Sequence, residues 1–89
     1  MISVIILAKN EEADLPSCLA SIEWCDDIHV VDSGSSDATV DIARHFGAKV
    51  LSNPFYSFAQ QRNWALGECD VQHEWILFLD ADERSTGEF

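Results

Sequence analysis

Apolar residues along this 89-residue chain gather into four short runs, separated by stretches whose hydrophobic positions recur with helical spacing. The runs are Ile2 to Ala8, Ile28 to Asp32, Ala48 to Ser52 and Trp75 to Leu79. The first and last are continuously hydrophobic, the pattern of strands covered on both faces, which predicts that they lie in the middle of a sheet. Leu15, Cys18, Leu19 and Ile22 fall at i, i+3, i+4 and i+7 and predict a helix from about Leu15 to Trp24. Asp14 stands at its N-cap, and Pro16 sits in the first turn, where proline is tolerated. A second helix is expected after Ser36-Asp37, either of which can cap it, with Ala38, Ile42 and Phe46 on one side and Gly47 ending it. A third starts near Ser57 and stops at Gly67, carrying Phe58, Ala59, Trp64, Ala65 and Leu66.

Strand and helix patterns therefore alternate as β-α-β-α-β-α-β, the signature of a Rossmann-like parallel α/β sheet with right-handed crossovers. Such a chain winds outward and then returns to set a later strand beside the first, giving the order 3-2-1-4. The C-terminal ends of strands one and four then flank the switch point, where ligands bind in open α/β sheets. The topology directs attention to Ala8-Lys9-Asn10-Glu11, Asp32-Ser33-Gly34-Ser35 and Asp80-Ala81-Asp82-Glu83.

Composition narrows the chemistry. Sixteen acidic against five basic side chains leave a formal charge of −11, which argues against nucleic acid or an anionic membrane surface as a partner. A small anionic ligand remains compatible if a divalent cation stands between it and the protein. With 47% hydrophobic residues the chain has the makings of a core, and its length suffices for one small domain burying roughly 60–65% of its unfolded surface. Three scattered cysteines, Cys18, Cys25 and Cys69, form neither a disulfide framework nor a metal-binding pair, which fits a reducing, cytoplasmic setting. The N-terminal apolar run has no preceding positive charge and leads straight into Lys9-Asn10-Glu11-Glu12, so it reads as a strand rather than a signal peptide. No apolar stretch is long enough to span a membrane.

Asp80-Ala81-Asp82 is the most informative segment. Alternate residues of an extended chain share a face, so two carboxylates at the end of an apolar strand can point into one crevice. Such a pair suits Mg²⁺ or Mn²⁺, hard cations that bridge readily to phosphates, although the same residues could form a solvated turn that stops the strand. Asp32 is either an acceptor for a base or ribose group or a capping carboxylate in the turn to the second helix. Arg62, in a fairly apolar helix, is either a partner for a diphosphate or a surface cation. No GxGxxG follows strand one and no P-loop occurs, so dinucleotide and P-loop readings are poor. A phosphatase-like hydrolase would use Asp80 as nucleophile, but Arg84 stands where such an enzyme needs Thr or Ser. A non-catalytic α/β interaction module with solubilising acidic loops is the third alternative. His29, His45 and His73 show no ligand spacing and read as structural or surface residues, and Trp24, Trp64 and Trp75 as core or interface residues.

Together these segments resemble the N-terminal half of family 2 glycosyltransferases, inverting enzymes of GT-A fold. The resemblance rests on Ser3-Val4-Ile5-Ile6 leading to Lys9-Asn10-Glu11-Glu12, then Val30 to Thr39, Gln61-Arg62-Asn63 and Leu79-Asp80-Ala81-Asp82-Glu83 in order. Lys-Asn-Glu after strand one and Asp-Glu-Arg near the end look like bacterial lipopolysaccharide-core glucosyltransferases. The resemblance implies a nucleoside-diphosphate sugar donor, most often a UDP-sugar, and a glycan or lipid-linked acceptor. It implies a divalent metal on Asp82, with Asp80 near the ribose or in the metal shell. Leu7, Ala8, Lys9, Glu11, Asp32 and Arg62 would belong to the nucleotide pocket, and the protein would work in the cytoplasm, peripherally at the inner face of a bacterial membrane. Ser33 stands where many members carry an Asp that contacts the nucleobase. Residues 1–84 are expected to be the nucleotide-sugar-binding part and 85–89 a polar tail left from cloning. The general base is expected beyond Phe89, and an isolated chain with an open sheet edge is expected to self-associate.

Overall fold

The computed structural model describes residues 2–54 and 57–80, without the side chains of Phe58 and Asp80. Four strands, β1 (Ile2–Ala8), β2 (Ile28–Asp32), β3 (Lys49–Ser52) and β4 (Trp75–Asp80), alternate with α1 (Leu15–Ser21), α2 (Thr39–His45) and α3 (Phe58–Glu68). All strand pairings are parallel and the order is β3-β2-β1-β4, as the alternation of patterns predicts.

The pleat divides the core in two. Val4, Ile6, Ala8 and Val30 point to the face covered by α1 and α2, where Leu15, Cys18, Leu19, Ile22 and Ala43 meet them. Ile5 and Val31 point to the opposite face and pack with Ala65 and Cys69 from α3 and its C-terminal end, flanked by Leu7, Leu51, Trp64, Ile76 and Phe78. β1, buried on both faces, is the central strand its continuous apolar run implies. β4 departs from the same expectation. It is the last strand of the described sheet, pairs only with β1, and leaves Trp75 70% exposed. A continuous apolar run reports two coverable faces; it says nothing about whether a second strand lies alongside.

Helix ends differ from the pattern-based reading by local hydrogen bonding. α1 stops at Ser21 and not near Trp24, whose ring is 42% exposed and whose indole N–H donates to the Ser21 carbonyl. Asp14 holds the N-cap position of α1 without a side-chain cap. Neither Ser36 nor Asp37 is the N-cap of α2, which is Ala38; Asp37 instead accepts from the Thr39 amide at 3.0 Å and from its hydroxyl. Ser57 does cap α3, accepting from the Gln60 amide at 3.1 Å. Gly47 ends α2 with a φ of +84°, the left-handed conformation that favours glycine. Phe46, expected on the buried side of α2, is 40% exposed and meets His45 edge to face. No disulfide forms, since Cys18, Cys25 and Cys69 are all free and buried. No helix among the described residues is long and apolar enough to cross a membrane.

Candidate functional site

The C-terminal ends of β1, β2 and β4 come together at one edge of the sheet. Ala8 pairs with Asp32, and Leu7 pairs with Asp80, so the three strands finish within one residue of each other. This is the switch point, because the chain leaves β1 toward β2 on one side and returns as β4 on the other.

Asp32 is the best-defined group there. Its carboxylate is 3% exposed and accepts from the Gly34 amide at 3.0 Å, the Ser35 amide at 2.9 Å and the Ser35 hydroxyl. The turn after β2 is thus wound around this carboxylate, and Gly34 takes the φ of +95° the turn needs. Asn10, at φ +52°, joins this turn to the loop after β1. Its amide donates to Ser35 Oγ at 2.8 Å, and its Oδ1 accepts from the Ser36 amide at 2.8 Å. Two further bonds continue the zipper, from the Glu11 amide to Thr39 Oγ1 at 2.9 Å and from the Glu12 amide to Asp37 at 3.2 Å. The Thr39 hydroxyl, outweighing partial burial, holds the Asp37 carboxyl below its ordinary value.

The other predicted site residues are distributed around this edge. Ala8 is buried, and its carbonyl accepts from the Ser33 amide at 2.9 Å. Leu7 is half-buried on the α3 face, Lys9 is exposed just past β1, and the Glu11 carbonyl receives the first amide of α1 at 2.8 Å. Arg62 is exposed on α3 with its guanidinium over the Phe78 ring, 5.5 Å from the centroid, which ties it to β4 by a cation–π contact. Asp80 ends β4 at the switch point; its side chain, and all of Asp82, lie outside the described residues. Among the described residues no cluster of His, Cys, Asp or Glu could hold a metal.

Two buried polar groups were given no role by sequence reasoning, Gln61 being quoted only within Gln61-Arg62-Asn63 and Asp27 counting only as part of the acidic surface charge. Gln61 on α3 is 1% exposed and reaches both the β2–α2 turn and the loop after β3. Its position was legible in principle, because it falls on the same helix stripe as buried Ala65 and Cys69. Asp27, fully buried at the opposite edge of the sheet, accepts from Ser3 Oγ at 2.6 Å, the Gln72 amide at 2.8 Å and Lys49 Nζ at 3.1 Å. His29 Nε2 lies 2.9 Å from the same carboxylate but off the line of a hydrogen bond, and has no hydrogen-bond partner among the described residues. Burial pushes Asp27 upward, yet the Ser3, Gln72 and Lys49 donors outweigh it and hold the carboxyl well below the usual range. Far from the switch point, this cluster fastens the segment after α3 to the base of β1 and β2. His73 does the same by an Asp26 contact at 2.8 Å.

Comparison with known proteins agrees with this geometry. The family model described as Glycosyl transferase family 2 matches residues 3–89. An uncharacterized glycosyltransferase of Rickettsia typhi is 39% identical over 88 residues, covering 98% of this chain and 30% of that protein. The lipopolysaccharide core biosynthesis glycosyltransferase LpsC of Rhizobium meliloti is 35% identical, covering 93% of this chain and 32% of its own length. The crystal structure of glucosyl-3-phosphoglycerate synthase from Mycobacterium tuberculosis with Mn²⁺ and UDP-glucose superposes with a TM-score of 0.73 at 31% identity, over 92% of this chain and 33% of that one. The chain thus spans about a third of the length of these relatives.

Proposed function

The chain belongs to glycosyl transferase family 2, and from that premise we propose that it is the donor-nucleotide part, residues 1–84, of an inverting glycosyltransferase. In this reading the whole enzyme moves a sugar from a nucleoside diphosphate, a UDP-sugar, to a glycan or lipid-linked acceptor such as a lipopolysaccharide core. The observation that carries it is the convergence of Ala8, Asp32 and Asp80 at the switch point of a 3-2-1-4 parallel sheet. Leu7, Ala8, Lys9, Glu11, Asp32 and Arg62 are assigned to the nucleotide pocket. The related synthase crystallised with Mn²⁺ and UDP-glucose supports the donor class, and LpsC supports the acceptor class.

The described rim is acidic, with Asp32, Asp37, Glu11 and Glu12 in the two zipped loops. A diphosphate approaching it needs a cation, and Asp80 and Asp82 supply the hard oxygen donors that Mg²⁺ or Mn²⁺ prefers. A cation held there by Asp80 and Asp82 would neutralise charge on the departing diphosphate. The zipped loops hold the pocket's shape, and the general base that deprotonates the acceptor hydroxyl is assigned to sequence beyond Phe89. The 89 residues alone are expected to catalyse nothing.

Calorimetric titration of the full-length protein with UDP tests the reading. Binding should require Mn²⁺ or Mg²⁺, disappear with EDTA, and weaken at least about tenfold in Asp82→Asn, the loss of roughly 1.4 kcal/mol or more. Equal UDP affinity with and without metal would overturn it.

A further inference from the structure

Gln61 is a fully buried amide on a helix whose remaining polar residues face outward, and each of its side-chain atoms is committed. Oε1 accepts from Asn53 Nδ2 at 2.7 Å, while Nε2 donates to the Asn53 backbone carbonyl at 3.2 Å and to Ser33 Oγ at 3.1 Å. The orientation of the amide follows from chemistry, because a backbone carbonyl can only accept; the atom facing Asn53 O must be the nitrogen. Its second hydrogen then occupies a lone pair of Ser33 Oγ. The Ser33 hydroxyl, used as an acceptor on that side, keeps its own hydrogen, for which no acceptor exists among the described residues.

Ser33 is also held in place by its backbone. Its amide donates to the Ala8 carbonyl at 2.9 Å, and the Asn53 amide donates to the Asp32 carbonyl at 2.9 Å. The hydroxyl is therefore fixed between the ends of β1, β2 and β3, beside the buried Asp32 carboxylate, and is half-buried rather than sealed. Its acidic surroundings disfavour a phosphate oxygen and favour an uncharged one.

We propose that Gln61 is a positioning residue that turns the Ser33 hydroxyl into a fixed hydrogen-bond donor toward an uncharged carbonyl oxygen of the donor's base. This rests on the donor-nucleotide reading above. The Gln61–Ser33 pair offers a neutral donor at a place where a carboxylate could only accept, so it selects bases by an acceptor oxygen.

The test uses full-length protein, Mn²⁺ and two probes, UDP and inorganic pyrophosphate, which lacks the base. Ser33→Ala should weaken UDP roughly 3- to 10-fold, the worth of one hydrogen bond, and leave pyrophosphate unchanged. Gln61→Glu puts an acceptor where Nε2 was, so the Ser33 hydrogen turns inward and the UDP loss should match that of Ser33→Ala. The double variant should be no worse than Ser33→Ala alone, because both remove the same bond. A purely structural Gln61 would weaken both probes alike, and additive losses in the double variant would likewise overturn the proposal. If Gln61→Glu does not fold, unchanged UDP affinity in Ser33→Ala overturns it by itself. Wild-type protein that fails to bind UDP would overturn the donor-nucleotide reading together with this one, whereas wild-type binding with unaffected variants would overturn this one only.

Discussion

Replacing Asp27 with alanine tests whether the base of the sheet is held by one buried carboxylate. The substitution leaves the Ser3 hydroxyl, itself fully buried, and the Gln72 amide without their acceptor, and it strips Lys49 of its counter-charge. Each of the two orphaned donors costs about 1–3 kcal/mol, while the half-exposed Lys49 can turn to water, so the total is about 2–6 kcal/mol. A domain of this length carries on the order of 4–13 kcal/mol of stability, so the variant should lose a large share of it. With a urea m-value of about 1–2 kcal/mol/M, the midpoint should fall by at least about 1 M, read by far-UV circular dichroism. Asp27→Asn keeps the shape and one acceptor and should cost about 2 kcal/mol, near the worth of hydrogen bonds to a charged group. The pH dependence carries an independent sign. The folded-state value of Asp27 lies below its unfolded one, so its contribution is full above the ordinary carboxylate value of about 3.9 and is lost as pH falls through that value toward the folded one. Wild-type stability should therefore drop more steeply on acidification than that of Asp27→Asn. A loss under about 1 kcal/mol in Asp27→Ala, or parallel acid profiles for the two proteins, would refute the reasoning.

Two other outcomes follow from the geometry. Gly47→Ala should cost about 1 kcal/mol in the same urea assay, because the added methyl meets open space and only the φ of +84° resists it; an unchanged midpoint would count against strain there. The 89-residue chain should self-associate through the apolar β4 edge, with Trp75→Lys reducing the effect, and concentration-independent monomer in sedimentation velocity would rule that out.

The four runs and three stripes were legible because each element's period is set by local backbone geometry, and the 3-2-1-4 order followed from general rules of chain winding. Cap details were less legible. Asp14 does stand at the N-cap of α1 but makes no side-chain capping bond, whereas α2 has Ala38 at its N-cap and the Asp37 carboxylate is taken up by Thr39. Trp24 and Phe46 lie past the last residues of α1 and α2 and are largely exposed, although Ile22, also past the end of α1, stays in the core.

By itself, the sequence determined the class of sheet, the edge at which to look, and the residue types gathered there, since alternation and strand ends are local properties. Only the tertiary structure decided how those residues are used. Asn10 meets Ser35 and Ser36 across 25 and 26 positions, Gln61 meets Ser33 across 28, and Asp27 meets Gln72 across 45. No periodicity encodes such pairs. They exist because a parallel sheet brings the loops at each end of its strands side by side, and buried polar groups must then find partners among whatever the fold has placed within reach.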